Sequence, residues 1–138
     1  AFLAATAGVP ARLLGLARET ARQMIAEAVD VLYPDAIFVL HAGILADLAV
    51  ETGAPVVVHV AAADLAAAAS RPSLRKLVAA AIGSSTVVVA ETAETAAALV
   101  ADWLPDAADA EARLQAWPLG PDAATRIAIA CRQARRGG

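Results

Sequence analysis

Residues Asp35 to Asp64 constrain the fold more than any other part of the chain. They read Asp-Ala-Ile-Phe-Val-Leu-His-Ala-Gly, then a short amphipathic stretch closing at Gly53, then Ala-Pro-Val-Val-Val-His-Val-Ala-Ala-Ala-Asp. Two apolar runs of strand length flank a helical segment, and each run carries a histidine near its C-terminal end. A continuous apolar run is what a strand buried on both faces requires, and such strands belong to parallel sheets joined by helices. The stretch therefore predicts one strand–helix–strand unit, with polar residues where parallel sheets bind ligands.

The flanking sequence continues the pattern. Pro10 is placed to open a helix. From Ala11 to Tyr33, the residues Leu14, Ala17, Ala21, Met24, Ile25, Ala28 and Leu32 recur at helical spacing, while Arg18, Glu19, Arg22, Gln23 and Glu27 fall largely outside that face. Pro34 stops this helix. Ile37–Leu40 is the first strand, Gly43 permits a turn, and Ile44, Leu45, Leu48 and Ala49 form the apolar side of a helix capped by Gly53. After the second strand, Val56–Val60, the alanine-rich Ala61–Ser70 reads as a loop with helical tendency. Ser70 and Pro72 open a helix that runs to Gly83. Thr86–Ala90 is a β-branched third strand, Thr92 caps a helix faced by Ala96, Leu99, Val100, Trp103 and Leu104, and 105–110 is an acidic loop. Arg113–Trp117 is a fourth strand candidate, and Ala123–Arg136 a final helix.

The predicted class is α/β, a Rossmann-like parallel sheet of about four strands with crossover helices. Residues 1–33 form a leading helical segment, 34–122 the α/β core, and 123–138 the C-terminal helix and frayed tail. Right-handed crossovers between strands laid down in chain order put the connecting helices on one face. The other face needs cover, and helix 11–33 and the final helix are the candidates; an apolar surface left bare points to a partner or to oligomerisation.

Composition narrows the function. The net charge of −3, with Arg132, Arg135 and Arg136 as the only basic cluster, argues against nucleic acid as a partner. The chain is 59% hydrophobic, yet no apolar stretch reaches the length of a membrane span without a charge or proline. The apolar opening 1–16 lacks a basic start and reads as neither signal peptide nor anchor. A lone Cys131 forms no internal disulfide, which fits a cytoplasmic setting. The chain begins without methionine and in mid-pattern, as expected of a processed product or a piece of a longer chain.

The order of motifs resembles the N-terminal domain of a GT-B glycosyltransferase of the family 4 (group 1) type. That resemblance rests on Pro34-Asp35-Ala36-Ile37 followed by His41, Gly53-Ala54-Pro55-Val56-Val57, Leu74-Arg75-Lys76-Leu77, Ser85-Thr86-Val87-Val88-Val89, and Pro118-Leu119-Gly120-Pro121-Asp122. It covers most of the chain. It implies an acceptor-binding domain, with a nucleotide sugar as donor substrate held by a second GT-B domain that this sequence does not contain. No cofactor is expected in this chain, and alone it is expected to be inactive. The family places a histidine three residues before the aspartate that follows the second strand. Anchored on Asp64, that position is Ala61, and the histidine stands two residues earlier at His59. Strand side chains repeat every two residues, so His59 keeps the same side. The family's asparagine before the late glycine is Leu119 here, and the pair Glu19 and Glu27 has the spacing of the family's donor-site glutamates but lies on the first helix.

The candidate acceptor-binding residues are His41, Gly43, His59, Asp64 and Glu91. Four of them have a structural alternative. His41 either meets a ligand or caps local backbone; His59 contacts a ligand or is a buried, hydrogen-bonded imidazole. Asp64 is a site residue or a helix cap, and Gly43 serves backbone geometry or ligand approach. Glu91 shares the same sheet edge. Trp103 and Trp117 read as core or interface residues, and Cys131 as a small buried hydrophobe. No catalytic residue or metal ligand set is assembled by the sequence. A noncatalytic oligomerisation or interaction module of the same fold is the alternative function.

Overall fold

A computed structural model describes residues 9–104 and 106–137. The chain alternates helix and strand: α1 (Ala11–Leu32), β1 (Ile37–Leu40), α2 (Ala46–Glu51), β2 (Val56–Val60), α3 (Ala62–Ala69), α4 (Pro72–Ser84), β3 (Val87–Ala90), α5 (Ala93–Asp102), α6 (Ala107–Arg113), β4 (Leu114–Ala116) and α7 (Ala123–Gly137). The four strands lie side by side in chain order, all parallel. The class is α/β with a Rossmann-like parallel sheet. Residues 1–8 of the apolar opening, Pro105 of the acidic stretch and Gly138 of the tail lie outside the described residues.

Valines build the sheet. All five residues of β2 and all four of β3 are buried, because helices cover both faces. On one face Val58, Val60, Val88 and Ala90 pack against Leu65, Leu74, Val78, Ile82 and Leu99 from the crossover helices. On the other, Val57, Val87, Val89 and Trp117 pack against Ala130 and Ala134 of α7, with Phe38, Ile127 and Cys131 at the margin. The far face is thus covered by α7 rather than by α1. Small alanines let α7 approach closely, and its polar residues turn outward. Arg135 adds an exposed contact to Asp35, 3.3 Å away.

Several local features have direct causes. Tyr33 ends α1 in the left-handed conformation (φ 46°) and donates its N–H to the Val29 carbonyl. Gly53 takes φ 77° just after α2, as a left-handed helix cap requires. Thr92 caps α5 by accepting the Thr95 N–H at 3.1 Å. Arg113 donates to the Ile82 and Ser85 carbonyls at the end of α4 while pairing with Asp109, where a cation suits the helix dipole. The alanine-rich 62–69 is a helix rather than a loop. Alanine's helix propensity and the capping contact of Asp64 outweigh the absence of a clear amphipathic pattern. Likewise 107–113, read in part as an acidic loop, is helical from Ala107 because Asp106 caps it through the Ala108 and Asp109 N–H groups.

Helix α1 departs most from expectation. None of its residues is buried. Met24 and Leu32, expected on the inner face, are 65% and 72% exposed, while Arg18 and Arg22 turn toward the body. The reason is electrostatic. Arg18 donates to Asp47 Oδ1 and Oδ2 at 3.0 and 2.6 Å and also to the Ile44 carbonyl. Arg22 reaches Glu51 at 2.7 Å, which holds that carboxyl below its ordinary range. The Arg18–Asp47 pair is mostly buried, and such fork-shaped pairs are strong. Arg18→Ala leaves Asp47 shielded without its cation and is expected to cost about 2–3 kcal/mol, with faster amide exchange confined to α1. Urea unfolding combined with hydrogen exchange measures both; unchanged exchange in α1 would show that the pair does not hold the helix.

Candidate functional site

The carboxyl ends of the four strands bring the candidates into one row. Leu40 lies opposite His59, His59 opposite Val89, and Ala90 opposite Ala116. The ladder continues one step further, since Glu91 N–H donates to the Val60 carbonyl and Trp117 N–H to the Ala90 carbonyl, both at 3.0 Å. His41 and Glu91 therefore follow directly from β1 and β3, the two strands that flank β2, and Trp117 from β4 beyond β3.

His59 is the centre of the row. It is 1% exposed and lies on the α7 side of the sheet with Val57 and Val89. Its ring centroid stands 6.1 Å from His41, nearly perpendicular to it, and 6.3 Å from Trp117. Neither ring nitrogen has a hydrogen-bond partner. A buried polar group without a partner is uncommon in a folded protein and calls for a reason. The expected alternative to ligand contact, a buried imidazole satisfied by the protein, is not what the structure contains. Burial lowers the proton affinity of the ring below that of an ordinary histidine. The Glu91 carboxylate opposes that shift, His41 adds to it, and the Asp64 carboxylate opposes it.

Asp64 sits in the first turn of α3 and is 6% exposed. Its Oδ2 accepts the Ala61 N–H at 3.0 Å and lies 3.3 Å from His41 Nδ1. It is thus both a helix cap and the tether of a histidine. His41 itself has φ 71°. This left-handed conformation strains a residue with a side chain, by about 1–2 kcal/mol. The turn after β1 was expected to draw its freedom from Gly43, yet the positive φ falls on His41. Gly43 is buried and donates its N–H to the His41 carbonyl at 2.8 Å. The structure therefore brings together His41, His59 and Asp64, puts Gly43 in the supporting turn, and sets Glu91 at the neighbouring strand end.

Trp117 is the neighbour that the sequence reading placed in the core or an interface rather than at the site. It is core, but it also walls His59. Its indole N–H donates to Gln115 Oε1 at 3.1 Å, and Gln115 Nε2 donates to Gln133 Oε1 of α7 at 2.6 Å. A tryptophan ending the fourth strand, in line with the histidines of the first two, was the available signal. Beside this row, a shallow cleft of about 410 Å³ runs from Trp117 past Asp122, Thr125 and Arg126. Among the described residues no group of three or more His, Cys, Asp or Glu side chains is placed to hold a metal ion. Among them, too, no helix is long and apolar enough to cross a membrane.

His59 makes stability depend on pH. Above about pH 6.5 its ring is neutral both folded and unfolded. As pH falls below that value the unfolded chain takes up a proton that the folded chain resists. Stability is therefore full above about pH 6.5 and lost as pH falls toward the depressed folded value, at no more than about 1.4 kcal/mol per pH unit for this group. Urea unfolding of wild type and His59→Leu between about pH 5 and 8 should show a steeper acid loss for wild type. Parallel curves would mean that His59 titrates alike in both states.

The fold and this edge define a class, an all-parallel α/β domain with a histidine–carboxylate cluster at the carboxyl ends of its strands. No protein-family model, curated protein or solved structure matches the chain.

Proposed function

We propose that the chain is the acceptor-side domain of a two-domain glycosyltransferase of GT-B type. A small acceptor would bind at the carboxyl edge of the sheet, and a second domain would hold the nucleotide sugar. The observation that carries this reading is His59: a fully buried imidazole with both nitrogens unpaired, a state that calls for a partner, at the carboxyl edge of the sheet. His41 and Asp64 stand beside it. The order of the sequence motifs supports the same reading.

Half of such a cleft does not transfer sugar. The purified chain is expected to bind acceptor sugars in saturation-transfer NMR and to show no transfer from UDP-glucose or GDP-mannose. Transfer by this chain alone would overturn its role as a half-site. Binding of the nucleotide sugars without any acceptor would favour a nucleotide-binding α/β domain instead.

A second reading has its own observation. Leu13, Leu16, Met24 and Val31 of α1 are 55–75% exposed, and an apolar groove of about 300 Å³ separates α1 from β1 at Ile25, Val29, Leu32 and Ile37. An apolar surface of this kind favours an association module built on self-pairing. Native mass measurement decides: a concentration-independent monomer would remove this reading.

A further inference from the structure

We infer that the site around His59 takes an uncharged, hydroxyl-bearing ligand, a neutral saccharide or similar polyol, one of whose hydroxyls pairs with the buried imidazole. This rests on the acceptor reading and names the chemistry of the acceptor.

The argument begins with the ring. An imidazole that is neutral has one N–H donor and one acceptor nitrogen. Both are buried and unpaired in His59, and each such group costs about 1–3 kcal/mol. A hydroxyl can accept from the ring N–H or donate to the bare nitrogen, and two hydroxyls of one polyol can meet both nitrogens, which point away from each other across the ring. A carboxylate or a fully ionised phosphate supplies acceptors only and leaves the ring's acceptor nitrogen unpaired.

The surrounding charges point the same way. The carboxylates of Asp64 and Glu91 both act on His59. Among the described residues neither is ion-paired with a lysine or arginine. An anionic ligand would meet two like charges and no fixed cation here, a repulsion that works against it. Carboxylates, by contrast, are ready acceptors for sugar hydroxyls.

Access runs past His41. Its side chain is 54% exposed, and its one polar contact is the 3.3 Å approach to Asp64. Its backbone is strained. Among the groups around His59 it is the one least fixed by packing, and its displacement opens the ring to a ligand. His41 is a movable wall in this arrangement, whereas Trp117 is a fixed one.

The test uses the 138-residue chain with 15N-labelled histidine and follows the imidazole nitrogens by NMR. Glucose, galactose and mannose are titrated, and then their 6-phosphates. At least one neutral sugar should shift the His59 nitrogens saturably, and its phosphate should bind at least about tenfold more weakly, a difference of about 1.4 kcal/mol. His59→Leu should abolish the binding while keeping the backbone spectrum of a folded protein. His41→Gly, which suits a positive φ and removes the movable wall, should speed the exchange of the sugar between free and bound states. Tighter binding of the phosphates would overturn the uncharged class and leave the acceptor reading standing. Silence of the His59 nitrogens toward both sets would overturn both. An unchanged exchange rate in His41→Gly would overturn the wall assignment.

Discussion

Trp117→Ala is expected to cost about 3–5 kcal/mol, the range for truncating a buried aromatic side chain. The indole is 6% exposed and packs in the same cluster as Val57, Val89, Ala130 and Ala134. It is also the first link of the Trp117–Gln115–Gln133 chain from β4 to α7. Alanine would leave a hole between sheet and helix and let water reach His59. Two readouts check this. Urea unfolding should report the loss, and NMR titration of the folded variant should show His59 moving back toward an ordinary histidine value. Trp117→Phe keeps most of the volume and should cost about a third as much. A loss under about 1 kcal/mol for the alanine variant would mean that α7 is held elsewhere.

His59→Leu carries the opposite sign. Leucine fills similar space and needs no hydrogen bonds, so the variant is expected to be more stable than wild type at pH 7 by about 1–3 kcal/mol. It should also lose sugar binding. Gain of stability with loss of binding is the mark of a group kept for function. A histidine retained for structure would behave in the reverse way, and a destabilised His59→Leu would place a trapped water or another partner on the ring. The comparison requires no knowledge of the ligand.

Much of the fold is legible because it follows from local rules. The runs Ile37–Leu40 and Val56–Val60 are strands with those same bounds, since unbroken apolar sequence suits a parallel sheet; Val56–Val60 is buried throughout, whereas Ile37–Leu40, at the sheet edge, is half-buried and ends on an exposed Leu40. Crossover handedness demands cover for the second face, and α7 supplies it. Features set by non-local partners are not legible in this way. The inward turn of Arg18 depends on Asp47, which lies 29 residues away. The positive φ of His41 depends on the course of the chain between β1 and α2, and no residue type announces it. Alanine gives α3 no contrast between inner and outer faces. At the site, the sheet edge common to His41, His59, Asp64 and Glu91 can be read from the sequence, because each follows or ends a strand. The place of Trp117 at the end of the fourth strand puts it on the same edge, but its contact with His59 depends on the register of a three-residue strand.

The chain-order sheet also dictates a timetable. Ile37 pairs with a residue 19 positions on, Val57 with one 30 positions on, and Val88 with one 26 positions on. Each strand can therefore dock as it is synthesised, without waiting for a distant segment, and such short separations favour rapid folding. Helix α7 is the exception, because it closes over β1, β2 and β3 only after all of them are in place. Until Ala130 and Ala134 emerge, Val57, Val87 and Val89 form a finished but naked apolar wall. The nascent domain is most prone to aggregate just before α7 emerges, and a ribosome stalled ahead of α7 would present its most adhesive surface.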